Sequence, residues 1–432
     1  MNKISSKLIK PQTPTPQNLK NYKISFIDGF QQPKNICVFL FYESKPDDSR
    51  QLEESLARIL IDFYPLAGRF IKNDCLVDCS DQGAVLVEAE APGDVELIDL
   101  VTKIEIDRLN DLLPEQHFRY DEAPDNPLLS IQITRFSCGG ATVAISVSHR
   151  VFDASSLETF VAAWSGAANP DDTTAGRIIP RPSFHLPSLL PSKGHEEMAA
   201  DVGRPLTPIA GPGGPDQKFV VKRLLFSNEA LTGLKSRVTG KPVSGVRVVC
   251  AFIARALIRV DRALHGSGRA SIVLQLVNMR ERTIPPQSRY ACGNFAIPTT
   301  ARIEGEDDVG VEELVRLLGD SVRRAIASYV EIMCPDRDGR DIIINNVKNF
   351  FTRGFTPETN LIMFSDLTRF RFDADFGWGK PVWSGIGPQQ PLGNMVILMC
   401  GKEGDGIEAM VMLKENEMCC FEQDEEMKIF MS

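Results

Sequence analysis

Five histidines occur in the chain, and His149 stands where a strand-to-helix turn would present an imidazole to a substrate. It follows a run in which Ala141, Val143, Ile145 and Val147 alternate with Thr142, Ala144, Ser146 and Ser148, the pattern of a strand with one buried face. Asp153 lies four residues further on, before a stretch of helical spacing. An imidazole held at such a junction can serve as a general base, because its ordinary pKa of about 6.5 leaves it largely uncharged near neutrality. The spacing alone leaves two roles open for His149, a catalytic base or a satisfied structural histidine. His117 and Asp121 match the same pattern. They sit among Glu115, Arg119, Glu122 and Asp125 with no strand leading in, and read as a solvated loop.

The second feature is the run Asp375, Phe376, Gly377, Trp378, Gly379. Two glycines around a tryptophan favour a sharp turn that pins a large indole. The run reads first as a packed structural loop, with direct participation in catalysis as the other possibility. No GxSxG nucleophile elbow, HExxH, Walker A or dinucleotide fingerprint occurs. Cys75 and Cys79 form a CxxxC and Cys419 adjoins Cys420, yet no matching Cys/His pair completes a zinc set. The expectation is free thiols and no metal.

These residues need a scaffold, and 432 residues exceed what one hydrophobic core usually serves. Two domains are expected. From Pro180 to Asp216 the chain is dense in proline and glycine without a hydrophobic period, which resists helix and central strand and reads as a linker. Before it, Leu52, Leu56, Ile59, Leu60 and Phe63 predict a helix ending at Tyr64 and Pro65. A turn-punctuated strand is expected around Cys75–Cys79. Leu157, Phe160, Val161 and Trp164 predict a helix, with a capping box over Ser155 to Glu158. After the linker, helices are expected near Val246–Val260 and Val311–Val330. Strands are expected near Ile272–Val277, Asn394–Cys400 and Ile407–Leu413. The mixture is an α/β chain in two halves.

Hydrophobic residues make up 43% and charged residues 24%, which excludes a disordered chain, a coiled coil and a collagen-like fibre. A formal net charge of -9 argues against nucleic acid as the main partner. No apolar run approaches the ~20 residues of a membrane-spanning helix, and the N-terminal twenty residues hold no continuous apolar region of a secretory signal. A cytoplasmic protein without a membrane partner is the expectation.

Taken together, the motifs resemble one family, the plant BAHD acyl-CoA-dependent acyltransferases. The resemblance runs from end to end, through LIKPQTPTP, LKNYKISFID, FYPLAGR, VDCSDQG and SCGGATVAISVSHRVFDASSLETFVAAW, then VVCAFIARA, LVNMRER, YACGNF and DFGWGKP. HxxxD and DFGWG in this order, about 220 residues apart across a proline-rich linker, are far more specific than either alone. The style of the segments is similar to the alkaloid-type acetyltransferase branch. Ala154 stands where the family often has glycine, Leu367 where many members carry tryptophan, and Arg247 where glutamate is common.

The resemblance implies two chloramphenicol-acetyltransferase-like α/β domains with a channel between them. Residues 1–190 would form the first, joined by a returning segment near 369–392. Residues 191–216 would cross over, and 217–432 would form the second. It implies acyl-CoA as co-substrate with no permanently bound cofactor, a small-molecule acceptor, a monomer, and His149 as the general base. Asp153 is expected to be structural, in a salt bridge with Arg280, and Asp375 to hold a turn. Trp378, with Gly377, would shape the site or offer its indole N–H to the oxyanion. Ser244, Gly293, Asn294 and Arg282 are the candidates to meet coenzyme A, with Arg289 beside them. The alkaloid-like style of the N-terminal strand and the HRVFDA loop favours acetyl as donor and a bulky, alkaloid-like alcohol as acceptor, and no basic residue precedes DFGWG closer than Arg371 to hold an acidic acyl group. N-acylation and longer or aromatic donors are the alternatives within the family, and a non-catalytic binding homologue the remote one.

Overall fold

The strand Asn35–Tyr42 carries Ile36, Cys37, Val38, Phe39, Leu40, Phe41 and Tyr42 in succession, all buried. Such a run belongs inside a sheet covered on both faces. In the computed structural model it is the fifth of six strands, in the order Asn2–Ile9, Ala84–Glu90, Leu129–Arg135, Ala141–Ser148, Asn35–Tyr42, Trp383–Ile386. Neighbours are antiparallel except Ala84–Glu90 and Leu129–Arg135, which run parallel. The structure describes residues 1–31, 33–44, 49–114, 123–169, 179–202, 218–239, 242–266, 269–305, 309–332, 341, 343–345, 359–387, 394–401 and 404–431. His117 and Asp121 lie outside them.

Contact within the chain divides it into two units. The first comprises Met1–Pro208, Gln287–Phe295 and Phe372–Gly387; the second comprises Ile209–Pro286, Ala296–Arg371 and Pro388–Ser432. The short segment Gln287–Phe295 is part of the first unit, although it lies far into the second half of the sequence.

In the first unit, two helices pack on each other. Arg50–Ile59 turns Leu52, Leu56 and Ile59 inward, and Ala154–Ala168 buries Leu157, Phe160, Val161 and Trp164. The Trp164 indole N–H donates to Ser55 Oγ at 3.1 Å, so the largest buried ring also has its polar atom satisfied. The first helix ends at Ile59, earlier than its apolar spacing suggests, and a 3-10 turn Tyr64–Ala67 takes over at Pro65.

The second helix has no capping box at Ser155. Its N-cap is Asp153, two residues earlier, and the helix begins at Ala154. A carboxylate can accept from the orphan N–H groups of the first turn without a partner at Glu158, which the sequence pattern did not separate from the serine box.

The second unit holds its own six-stranded sheet, in the order Ala296–Ile303, Ala270–Asn278, Thr359–Asp366, Asn394–Cys400, Ile407–Lys414, Phe219–Phe226. The helix Gly245–His265 lays Val249, Phe252, Ile253 and Leu257 into a core shared with Val273, Phe364, Val396 and Val411. A second long helix spans Val311–Ile332. Both units are mixed α/β.

The proline-rich stretch is not uniformly irregular. Leu186–Leu189 and His195–Val202 are helical, the latter in a gap between prolines where Met198 is fully buried. Among the described residues no helix is long and apolar enough to cross a membrane.

Candidate active site

His149 sits where the strand Ala141–Ser148 ends. Ser148 is opposite Asn35 in the antiparallel register, and the His149 N–H donates to the Lys34 carbonyl at 2.8 Å. The chain then folds back tightly, Val151 and Phe152 N–H both donating to the Ser148 carbonyl, at 3.1 and 3.2 Å. This turn brings the Phe152 carbonyl oxygen to 2.9 Å from His149 Nδ1. A carbonyl only accepts, so Nδ1 must carry the proton. Nε2 is left with its lone pair, which is the form a general base requires. The orienting partner of Nδ1 is thus the Phe152 carbonyl.

Burial pushes the His149 pKa down to about 4. The positive charge of Lys34 pushes the same way, and the carboxylate of Asp153 opposes both. The ring is therefore neutral throughout the physiological range.

Asp153 holds the turn from below. Its Oδ1 accepts from the Ser156 N–H at 2.9 Å and from the Ser156 hydroxyl at 2.8 Å, and its Oδ2 accepts from the Phe295 N–H at 3.2 Å. Gly293 N–H donates to Ser156 Oγ at 3.1 Å. The Asn294 side-chain amide donates to the His149 carbonyl at 2.7 Å and to Asp28 Oδ1 at 2.7 Å, while its backbone N–H reaches the same Asp28 oxygen at 2.6 Å. Asp28 is fully buried in the first turn of a short helix, Phe26–Gly29, where its Oδ2 accepts from the Ser25 N–H at 2.8 Å. Burial raises its pKa to about 6, against hydrogen bonds from Ser25 and Asn294 that favour the charged form.

Gly293 and Asn294, expected to meet coenzyme A, thus commit their polar groups to this turn. Gly293 has φ +124, and a Cβ there would meet Leu186 Cδ1 at 3.1 Å, so only glycine fits without displacement.

Asp375 is a turn-holder. Its Oδ1 accepts from the backbone N–H of Gly377, Trp378 and Gly379 at 2.7, 3.0 and 3.0 Å. Gly377 and Gly379 both take positive φ, 95° and 87°. The Trp378 ring lies edge-on to Tyr42, 5.3 Å between centroids, and Phe376 packs on Trp164 at 4.8 Å. The Tyr42 hydroxyl donates to the Ala374 carbonyl at 2.8 Å.

Tyr42 pairs with Ala141, eight residues from His149 along the strand, which is roughly 26 Å. Trp378 and Gly377 are therefore not placed at His149, and the oxyanion role proposed for the indole finds no geometry here.

The other expected residues lie in the second unit, apart from Arg289. Ser244 caps the helix Gly245–His265, its Oγ accepting from the Arg247 N–H at 3.3 Å. Arg280 is buried, and its N–H and guanidinium both donate to Asn278 Oδ1, at 3.1 and 3.2 Å. Arg282 donates to the Asn278 carbonyl; burial and the nearby charge of Arg369 push its pKa down. Arg289 is exposed and lies over the Tyr290 ring.

Three participants were missed from the sequence: Asp28, Ser156 and Lys34. The first had a signal, since Ser25 to Asp28 is a capping box in form and in fact. Ser156 was assigned to a cap that does not form. Lys34 had no signal, because its nearness to His149 depends on strand pairing across more than a hundred residues.

A strand-end histidine whose Nε2 keeps its lone pair, in a chain with two mixed sheets, is an arrangement able to take a proton from a hydroxyl or an amine. The Transferase family profile matches residues 1–428. The chain is 54% identical, over 100% of both sequences, to pelargonidin 3-O-(6-caffeoylglucoside) 5-O-(6-O-malonylglucoside) 4'''-malonyltransferase of Salvia splendens. It is 32% identical to vinorine synthase of Rauvolfia serpentina, over 97% of this chain and 95% of that one. It is also 32% identical to stemmadenine O-acetyltransferase of Catharanthus roseus, over 98% and 96%. The crystal structure of vinorine synthase superposes with a TM-score of 0.81 at 30% identity, covering 100% of this chain and 98% of that one.

The chain belongs to this transferase family, the BAHD acyltransferases, and is an acyl-CoA-dependent acyltransferase acting on plant metabolites.

Proposed function

We propose that the chain transfers a malonyl group from malonyl-CoA to a sugar hydroxyl of a glycosylated, already acylated plant phenolic. The observation that carries this reading is the 54% identity over both full lengths to a malonyltransferase whose acceptor is of that kind. The acetyl donor favoured from the sequence rested on the alkaloid-like style of the segments and on the lack of a cation before DFGWG. That loop packs on the Tyr42 end of the strand, so its neighbours bear little on the acyl group. Acetyl transfer is the second reading, favoured by the likeness to stemmadenine O-acetyltransferase at 32% identity.

The chemistry follows from His149. The acceptor oxygen attacks the thioester carbonyl carbon while its proton passes to Nε2, so that the new C–O bond and the imidazolium form together. The tetrahedral intermediate then expels the coenzyme A thiolate by breaking the C–S bond, and the thiolate takes the proton back from Nε2. The base ends the cycle neutral, and no acyl-enzyme forms. Phe152 keeps the proton on Nδ1 throughout, so Nε2 is the nitrogen that takes up and returns the acceptor's proton.

Such base catalysis contributes about 10²–10⁴-fold, and orientation supplies much of the remainder. Asp153, Ser156 and Asn294 serve that orientation by fixing the turn.

Equimolar malonyl-, acetyl- and hydroxycinnamoyl-CoA supplied with pelargonidin 3-O-(6-caffeoylglucoside) 5-O-(6-O-malonylglucoside) test the reading. Mass spectrometry of the product should show a malonyl ester in excess. A predominantly acetylated product would replace the malonyl donor by the second reading.

A further inference from the structure

Lys34 lies directly across from His149. The register that sets Asn35 opposite Ser148 carries on to this pair, whose backbones join through the 2.8 Å bond from His149 N–H to the Lys34 carbonyl. Side chains directly opposite in an antiparallel pair emerge on the same face, their Cβ atoms about 5 Å apart. Both residues are half-buried, so the lysine is partly withdrawn from water, and its charge acts on the imidazole.

Burial is what acts on the ammonium, lowering its pKa to about 8, and no carboxylate among the described residues offsets it. The other charged neighbour of the imidazole, Asp153, has its oxygens engaged by Ser156 and Phe295. A cation here with no anion of its own is costly twice over. It is poorly solvated, and it drives the base further from the pH at which it works best.

An anion delivered by the substrate removes both penalties. In a malonyl thioester the free carboxylate carbon stands two bonds from the reacting carbonyl carbon, so a donor placed for attack beside His149 carries its charge into the lysine's range. We propose that Lys34 is the specificity-determining residue that receives the free carboxylate of a malonyl-type donor. This rests on the malonyl reading above and gives it a residue. Neutralising Lys34 also lifts one of the two influences that depress His149, so an acidic donor strengthens the base that transfers it. Acetyl-CoA leaves the cation unmatched.

Calorimetric titration of the full-length protein with malonyl-CoA and with acetyl-CoA needs no acceptor and tests this directly. The wild type should bind malonyl-CoA about tenfold or more tightly than acetyl-CoA, the range of a charge-assisted hydrogen bond. In Lys34→Met the ratio should fall to near one, and Lys34→Arg should keep most of it. Lys34→Gln, which retains a polar end, repeats the comparison if the methionine variant folds poorly. A wild-type preference that survives unchanged in the Met and Gln variants overturns the role of Lys34 and leaves malonyl as the donor. A wild-type ratio near one overturns the malonyl reading, and the role of Lys34 with it.

Discussion

The side-chain amide of Asn294 donates to the backbone carbonyl of His149 at 2.7 Å, joining residues 145 positions apart. The same amide holds Asp28, so a buried carboxylate anchors the His149 turn through a single asparagine. In Asn294→Ala the His149 carbonyl and Asp28 both lose a donor. We expect kcat to fall about tenfold or more with KM nearly kept, since the loss is in placing the base. Asn294→Asp should be worse, because it sets a second carboxylate against Asp28. Steady-state kinetics on both variants would reveal a different role if KM rose while kcat held.

His149→Ala should remove about 10²–10⁴-fold of kcat, the span attributed to general base catalysis, with little change in melting temperature. His117→Ala should leave turnover within a factor of two. An active His149 variant beside a dead His117 variant would transfer the catalytic role to the other HxxxD.

Much of this arrangement could be read before folding. The strand Ala141–Ser148, the helix after Asp153 and the placement of His149 at their junction follow from alternation, helical spacing and one motif, all of them local. What was hidden depends on pairing between distant segments. Lys34 reaches His149 by strand register, and Asn294 reaches it through Gln287–Phe295, a segment whose own sequence says nothing about which unit it joins. Trp378 was misjudged for the same reason. Its turn was legible, but its neighbour Tyr42 places it at the far end of a strand.

Asp375→Ala should act on stability, not chemistry. Three backbone N–H groups lose their acceptor at once, in a turn with two glycines at positive φ. A lower melting temperature is expected, with kcat per folded molecule preserved at low temperature. Loss of kcat in a fully folded variant would give Asp375 a part in the reaction.

The final prediction concerns pH, where two buried groups act in opposition. His149 has a folded pKa of about 4, below its ordinary 6.5. Between those values the unfolded chain binds a proton that the folded chain refuses, so this histidine weakens the fold as pH falls. Asp28 has a folded pKa of about 6, above its ordinary 3.8. Between those values the folded chain binds the extra proton, so this aspartate strengthens the fold as pH falls and weakens it as pH rises through 6. Over roughly pH 4 to 6 the two contributions offset each other in the wild type. His149→Gln removes one side of the balance. Relative to wild type, it should therefore melt higher at pH 5 than at pH 7.5, with the gap closing above pH 6.5. A difference in melting temperature that stays constant across this range would mean that His149 titrates near its ordinary value. The activity profile offers an independent reading of the same group. For the wild type, the acid limb of kcat/KM belongs to the free enzyme and should fall near pH 4. A limb near 6.5 would contradict a base held neutral by burial and by Lys34.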